Sequence, residues 1–96
     1  MDYSFHPLAD KEVDEIVGFY DGVDESLGNE FFSELQNSIS RVLRFPNAWE
    51  QVWPSARRSL LNRFPYALVY QIRSDGILVV AVMHLHREPG YWVARL

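Results

Sequence analysis

The sequence contains no cysteine, so it can build neither a disulfide nor a thiolate metal site. Lys11 is its one lysine, and its net charge of −4 argues against general affinity for nucleic acid. Its longest apolar run, Ile77 to Met83, falls far short of the roughly 20 residues of a membrane-crossing helix. The opening MDYSFHPLAD carries acids and no basic-then-apolar stretch, so no signal peptide is expected and the cytoplasm is the expected compartment. No repeat or low-complexity stretch is present. There is also no Gly-rich phosphate loop, no serine-centred elbow and no acid pair placed for glycoside hydrolysis.

What is present suits a folded protein. Apolar residues make up 48% and charged residues 23%, the balance of a globular chain rather than a disordered one. The 96 residues are expected to form a single domain spanning 1–96. Charge is unevenly spread: residues 1–45 hold ten acids against three bases, whereas residues 46–96 hold three acids against six arginines. A local basic face on an acidic body is therefore possible in principle, and solvated acidic helices account for the split equally well.

Tyr3 to Pro7 alternates and is aromatic, which predicts a short first strand ended by proline. Asp10 is placed as a helix N-cap, and Val13, Ile16, Val17 and Tyr20 follow on one helical stripe up to Gly22. Ser26 is placed as a second N-cap. Phe31, Phe32, Leu35, Ile39, Val42 and Leu43 then repeat at helical spacing until Pro46. Two helices so closely joined predict an antiparallel hairpin with one apolar side to cover. Residues 46–55, with two prolines and two tryptophans, predict a loop in which Trp49 and Trp53 pack on the domain edge. Strands are predicted over Ala56 to Leu61, Tyr66 to Arg73 and Ile77 to His86, the last two joined by a tight Ser74-Asp75-Gly76 turn. The last strand is apolar on both faces, which places it centrally and covered on both sides. The fold class is therefore α+β, in the order β-α-α-β-β-β, with a helical hairpin on a small, mostly antiparallel sheet.

Two groups of residues could carry chemistry. Alternation puts His84 and His86 on one face of the last strand, followed by Arg87, Tyr91, Trp92 and Arg95. Arg57, Arg58 and Arg63 flank the strand that would pair with Tyr66 to Arg73. Arginine forks bind phosphate, and histidine or tyrosine can move protons, so the set suits a phosphodiester. Each residue also has a plainer reading. His84 can be a hydrogen-bonded structural histidine, and the arginines can pair with the acidic helices. Tyr91 and Trp92 can anchor the tail. His84 and His86 have no third ligand, so no metal is expected, and no cofactor is implied.

The stretches SFHPLADKEVDEIVGFY, LGNEFFSELQNSISRVLRFP, RRSLLNRFPYALVYQI and VVAVMHLHREPGYWVARL, in that order over nearly the whole chain, resemble the RelE/ParE toxin superfamily of type II toxin–antitoxin and plasmid stabilisation systems. The resemblance implies a toxin held inactive by a cognate antitoxin. An RNA-cutting, RelE-like member would use Arg58 and Arg63 on phosphates and Arg87 on the developing charge. His84 or Tyr91 would carry the proton, with the RNA's own 2′-hydroxyl attacking and no metal taking part. A ParE-like member would instead inhibit a protein target such as DNA gyrase. The ribosome-dependent members are strongly basic and this chain is acidic, which favours the ParE-like reading. An inactive homologue that only binds partners is the third reading. The antitoxin is expected on the helical hairpin or a sheet edge, on the arginine side near residues 57–63. Nothing in the sequence looks like a DNA-reading helix, so operator binding would fall to the antitoxin. No membrane contact is expected.

Overall fold

Pro7 sets the first boundary. The computed structural model describes residues 2–96, in which strand β1 (Asp2–Phe5) gives way directly to helix α1 (Pro7–Val23). The sequence places the helix start at Asp10, but proline at the first helical position needs no hydrogen bond and already has helical φ. His6 caps the helix instead, its Nδ1 accepting from the Leu8 amide at 3.1 Å. Helix α2 (Glu25–Arg44) follows after one residue. That residue, Asp24, serves both helices. Its amide donates to the Tyr20 carbonyl, and its carboxylate accepts from both the amide and the hydroxyl of Ser26 at 2.9 Å. Asp24 is therefore the cap expected at Ser26. The bond from the Ser26 amide holds its carboxyl below the ordinary range.

Gly28 lets the two helices close on each other, because a Cβ there would run into the Asp21 side chain and the Val17 carbonyl. The hairpin buries Ala9, Val13 and Ile16 from α1 and Phe31, Leu35, Ile39 and Val42 from α2. Phe32, on the predicted stripe, stays outside.

The remaining strands are β2 (Glu50–Trp53), β3 (Ala56–Leu60), β4 (Tyr66–Arg73) and β5 (Gly76–His84), with a 3-10 turn at Val93–Arg95. The sheet order is β1-β5-β4-β3-β2, with β1 parallel to β5 and every other pair antiparallel. Strand β2 lies where the sequence predicts only loop. Its four residues between two prolines show no period. They are held as a strand by pairing with β3 and by Arg57, whose guanidinium donates to the carbonyls of Asn47 and Trp49. Gly76 adopts φ +146°, and a Cβ there would collide with the carbonyl oxygen of Asp2, so β1 can lie alongside only because the position is glycine.

Strand β5 is covered on both faces, as its composition predicts, but it lies between β1 and β4, and β4 holds the centre of the sheet. Val79 and Val82 join the core beneath the helices, with Leu68, Tyr70 and Phe31. Ala81 and Met83 join a second cluster on the opposite face, with Ala56, Ala67, Val69 and Trp92. Strand β5 ends at His84 rather than His86. There the chain turns, with the Arg87 amide donating to the His84 carbonyl and the His86 amide to His84 Nδ1. Among the described residues, no helix is long and apolar enough to cross a membrane.

Candidate functional site

An irregularity in β5 creates the most concentrated polar site of the fold. Val69 pairs with Ala81 and Tyr70 with Val79, so Val80 is an extra residue, a β-bulge. Strand β1 has already ended at Phe5, and its last bond runs from the His6 amide to the Val79 carbonyl at 2.8 Å. Past that point the outer edge of β5 would be bare, and unpaired backbone groups at a covered edge are costly. Side chains complete it. Arg95 Nη1 donates to the Val80 carbonyl at 3.0 Å, and the Val82 amide donates to Glu12 Oε1 at 3.1 Å. Glu12 and Arg95 grip each other with two parallel bonds of 2.9 and 3.0 Å, and both side chains are nearly buried. Tyr91 donates its hydroxyl to Glu12 Oε2 at 2.7 Å. The Arg87 guanidinium lies 3.8 Å over the Tyr91 ring.

His84 sits beside this network. Its ring stands edge-on to Tyr66 at 5.1 Å, and its Nδ1 accepts from the His86 amide, which leaves the ring proton on Nε2. Tyr66 in turn belongs to an aromatic group with Tyr20, Phe31 and Phe64 under the helical hairpin. A shallow cavity of about 160 Å³ results, lined by Glu12, Glu15, Tyr66, His84, Arg87 and Tyr91.

The five residues singled out for phosphodiester chemistry therefore fall into three places. His84, Arg87 and Tyr91 line one cavity. Arg58 lies on β3, its Nη2 bound to Glu50 at 2.9 Å. Arg63 lies in the β3–β4 connection at φ +70°, its Nη2 bound to Glu30 of α2 at 3.1 Å. His86 is an exposed turn residue, not a strand residue sharing the face of His84. The residue missed from sequence is Glu12, which reads as one more acid on a solvated helix. A signal was available, since Glu12 is one turn before Ile16 and so borders the buried stripe.

The chemistry of the cavity is restricted by these bonds. Burial pushes the Tyr91 hydroxyl well above the usual phenol range, and its bond to Glu12 pushes it further. A hydroxyl so held does not give up its proton near neutral pH, and the Glu15 carboxylate in the lining disfavours phosphate. Arg87 and the free edge of the His84 ring are the groups left to meet a partner.

The sequence pattern of a family described as the ParE toxin of the type II toxin–antitoxin system parDE matches residues 3–89. Tyr91, Trp92 and Arg95 lie beyond that match. A solved structure described as the chromosomal ParDE TA system from P. aeruginosa is similar in fold, with a TM-score of 0.76 at 14% identity over 88% of this chain and 95% of that one. No curated protein matches the sequence.

Proposed function

The chain belongs to the ParE toxin family of type II toxin–antitoxin systems, and from that membership we propose that it stops growth by binding a protein target, DNA gyrase, and is neutralised by a cognate antitoxin. The observation that carries this reading is the state of Tyr91. Its hydroxyl is bonded to Glu12 and its acidity is suppressed, so one of the two groups that an RNA-cutting site would use to carry the proton is already engaged. Two of the three arginines that an RNA-cutting site would use support the same reading, since Arg58 and Arg63 each hold a carboxylate rather than standing free for phosphate. The net charge of −4 weakens docking on ribosomal RNA.

A second reading, RelE-like cleavage of mRNA on the ribosome, is favoured by one observation, the gathering of His84, Arg87 and Tyr91 around one cavity. One pair of assays separates the two. Purified protein is added to a gyrase supercoiling reaction and to a translation reaction programmed with a defined mRNA. Gyrase inhibition with intact mRNA is the expected result, reversed by the protein encoded next to the toxin. Cut mRNA, lost in His84→Ala and Arg87→Ala, would overturn the reading in favour of cleavage. Activity in neither assay, with no growth arrest on induction, would leave an inactive homologue.

A further inference from the structure

Most arginines of the sheet and its loops are engaged within the chain. Arg58, Arg63 and Arg95 each hold a carboxylate. Arg57 donates to the carbonyls of Asn47 and Trp49, and Arg73 to the side chain of Gln71. Arg87 differs. It is exposed, and among the described residues it has neither an ion pair nor a side-chain hydrogen bond. It is nonetheless held in place. Its amide donates to the His84 carbonyl at 3.0 Å, and its guanidinium rests 3.8 Å over the ring of Tyr91, which Glu12 fixes in turn. Stacking engages the face of a guanidinium and leaves its N–H edge for a partner.

A second donor lines the same cavity. The Nδ1 of His84 accepts from the His86 amide, so the ring proton stands on Nε2, which has no partner in the chain and is open to solvent. Both donors are therefore fixed before any partner arrives, which lowers the ordering cost of binding.

The charges around the cavity select the class of partner. Glu12 and Arg95 cancel each other. Glu15 stands 3.9 Å from Lys11. One positive charge is left over, that of Arg87. A single carboxylate balances it, whereas a phosphate group brings close to two negative charges. At about 160 Å³ the cavity is also well under the roughly 300–1,000 Å³ of sites that enclose a whole small molecule, and it suits one side chain. The backbone beside it offers a partner strand nothing, because the Val80 carbonyl and the Val82 amide are already bonded to Arg95 and Glu12. Contact here runs through side chains.

We propose that this cavity receives one aspartate or glutamate side chain of the cognate antitoxin, its carboxylate accepting from the N–H edge of Arg87 and from His84 Nε2. The proposal rests on the toxin–antitoxin reading above and concerns where, and through which chemistry, the antitoxin holds. The arginines near residues 57–63, where the sequence places that contact, are closed to it by Glu50, Glu30 and backbone carbonyls.

The test uses the protein co-expressed from the neighbouring reading frame and toxin labelled with ¹⁵N at arginine and histidine. On complex formation the Arg87 Nε and His84 Nε2 signals move, and the Arg73 Nε signal does not. Arg87→Gln weakens the complex about tenfold or more, the effect of a charged hydrogen bond, and Arg87→Lys, which keeps the charge without the fork, weakens it less. His84→Phe keeps the ring beside Tyr66, loses the donor and weakens the complex about three- to tenfold. Acids of the antitoxin are then neutralised one at a time, Glu to Gln and Asp to Asn. One of them weakens the wild-type complex and has no further effect on Arg87→Gln. If His84→Phe does not fold, Arg87→Gln, an exposed and unpaired position, decides with the wild-type signals. A tight complex with unmoved signals and unchanged affinity in the variants overturns the site and leaves the toxin reading intact. Loss confined to gyrase inhibition, with antitoxin affinity unchanged, assigns the cavity to the target and also overturns the proposal. Failure of the wild-type proteins to form any complex overturns both readings.

Discussion

Replacing Glu12 by glutamine tests the network that closes the edge of β5. The substitution keeps the shape and removes the charge. Glu12 accepts four hydrogen bonds, from the Val82 amide, the Tyr91 hydroxyl and both terminal nitrogens of Arg95. Glutamine can accept through one atom only, so one of its ends would turn an N–H toward a donor. Arg95, whose side chain is 11% exposed, would be left as a buried cation with neutral acceptors only, the Val80 carbonyl and at most one glutamine oxygen. Breaking one side of a buried ion pair costs about 3–5 kcal/mol. Taking about 3 kcal/mol as the value for this slightly hydrated pair, the melting temperature falls by roughly 12–24 °C, at about 4–8 °C per kcal/mol for a chain this size. The control is Arg95→Met, alone and combined with Glu12→Gln. Removing the second charge relieves the first, so the double variant is less destabilised than the sum of the singles by about 1–3 kcal/mol. Circular dichroism during heating and urea unfolding of the four proteins give these values. A loss under about 1 kcal/mol for Glu12→Gln, or strict additivity, would refute the view that the pair acts as one buried unit.

Other substitutions test neighbouring parts of the argument. Gly76→Ala forces a Cβ against Asp2 at φ +146° and is expected to cost about 2–3 kcal/mol, with amide exchange in β1 rising first. Tyr70→Phe removes the 2.6 Å bond to the Pro46 carbonyl and is expected to cost about 1 kcal/mol in urea unfolding. Burial pushes the Tyr70 hydroxyl up to about 12, so the folded state keeps a proton that the unfolded chain loses. Stability should therefore fall as pH rises from about 10 toward 12, and less steeply in Tyr70→Phe. Asp24 has the opposite sign. Its carboxyl titrates below the ordinary value, so its contribution is present above about pH 4 and is lost as pH falls through the lowered value. The difference in urea midpoint between wild type and Asp24→Ala should shrink on acidification.

The parts of the fold that rest on local chemistry were legible in the sequence. The helical stripe from Phe31 to Val42 and the apolar run of β5 are periodic over many residues, and the Asp75-Gly76 turn has a conformational demand few residues meet. What escaped depends on partners far along the chain. Strand β2 exists because β3 pairs with it and Arg57 reaches two of the carbonyls before it, and no propensity of its four residues announces this. In the sequence Pro7 looks like the stop of a strand, although the same ring is also a favourable opening for a helix. The candidate site shows the same division. His84, Arg87 and Tyr91 are close in sequence and remained together. Arg63 was drawn to Glu30, 33 residues earlier, and Arg58 to Glu50 on the neighbouring strand. Glu12 had no visible role until Arg95, 83 residues later, gave it one.

That last separation bears on the order in which the molecule is made. Synthesis proceeds from the amino end, so Glu12 leaves the ribosome long before Arg95 is joined to the chain. Until then the carboxylate has no cation, the Val80 carbonyl has no donor, and the outer edge of β5 stays unsealed. The helical hairpin can form in that interval, because its contacts lie among residues 7–44. The closing step waits for residue 95. A released chain that lacks Arg95 would keep the strand pairings but leave this edge open, and truncation just before Arg95 should raise amide exchange at Val82 relative to the full chain.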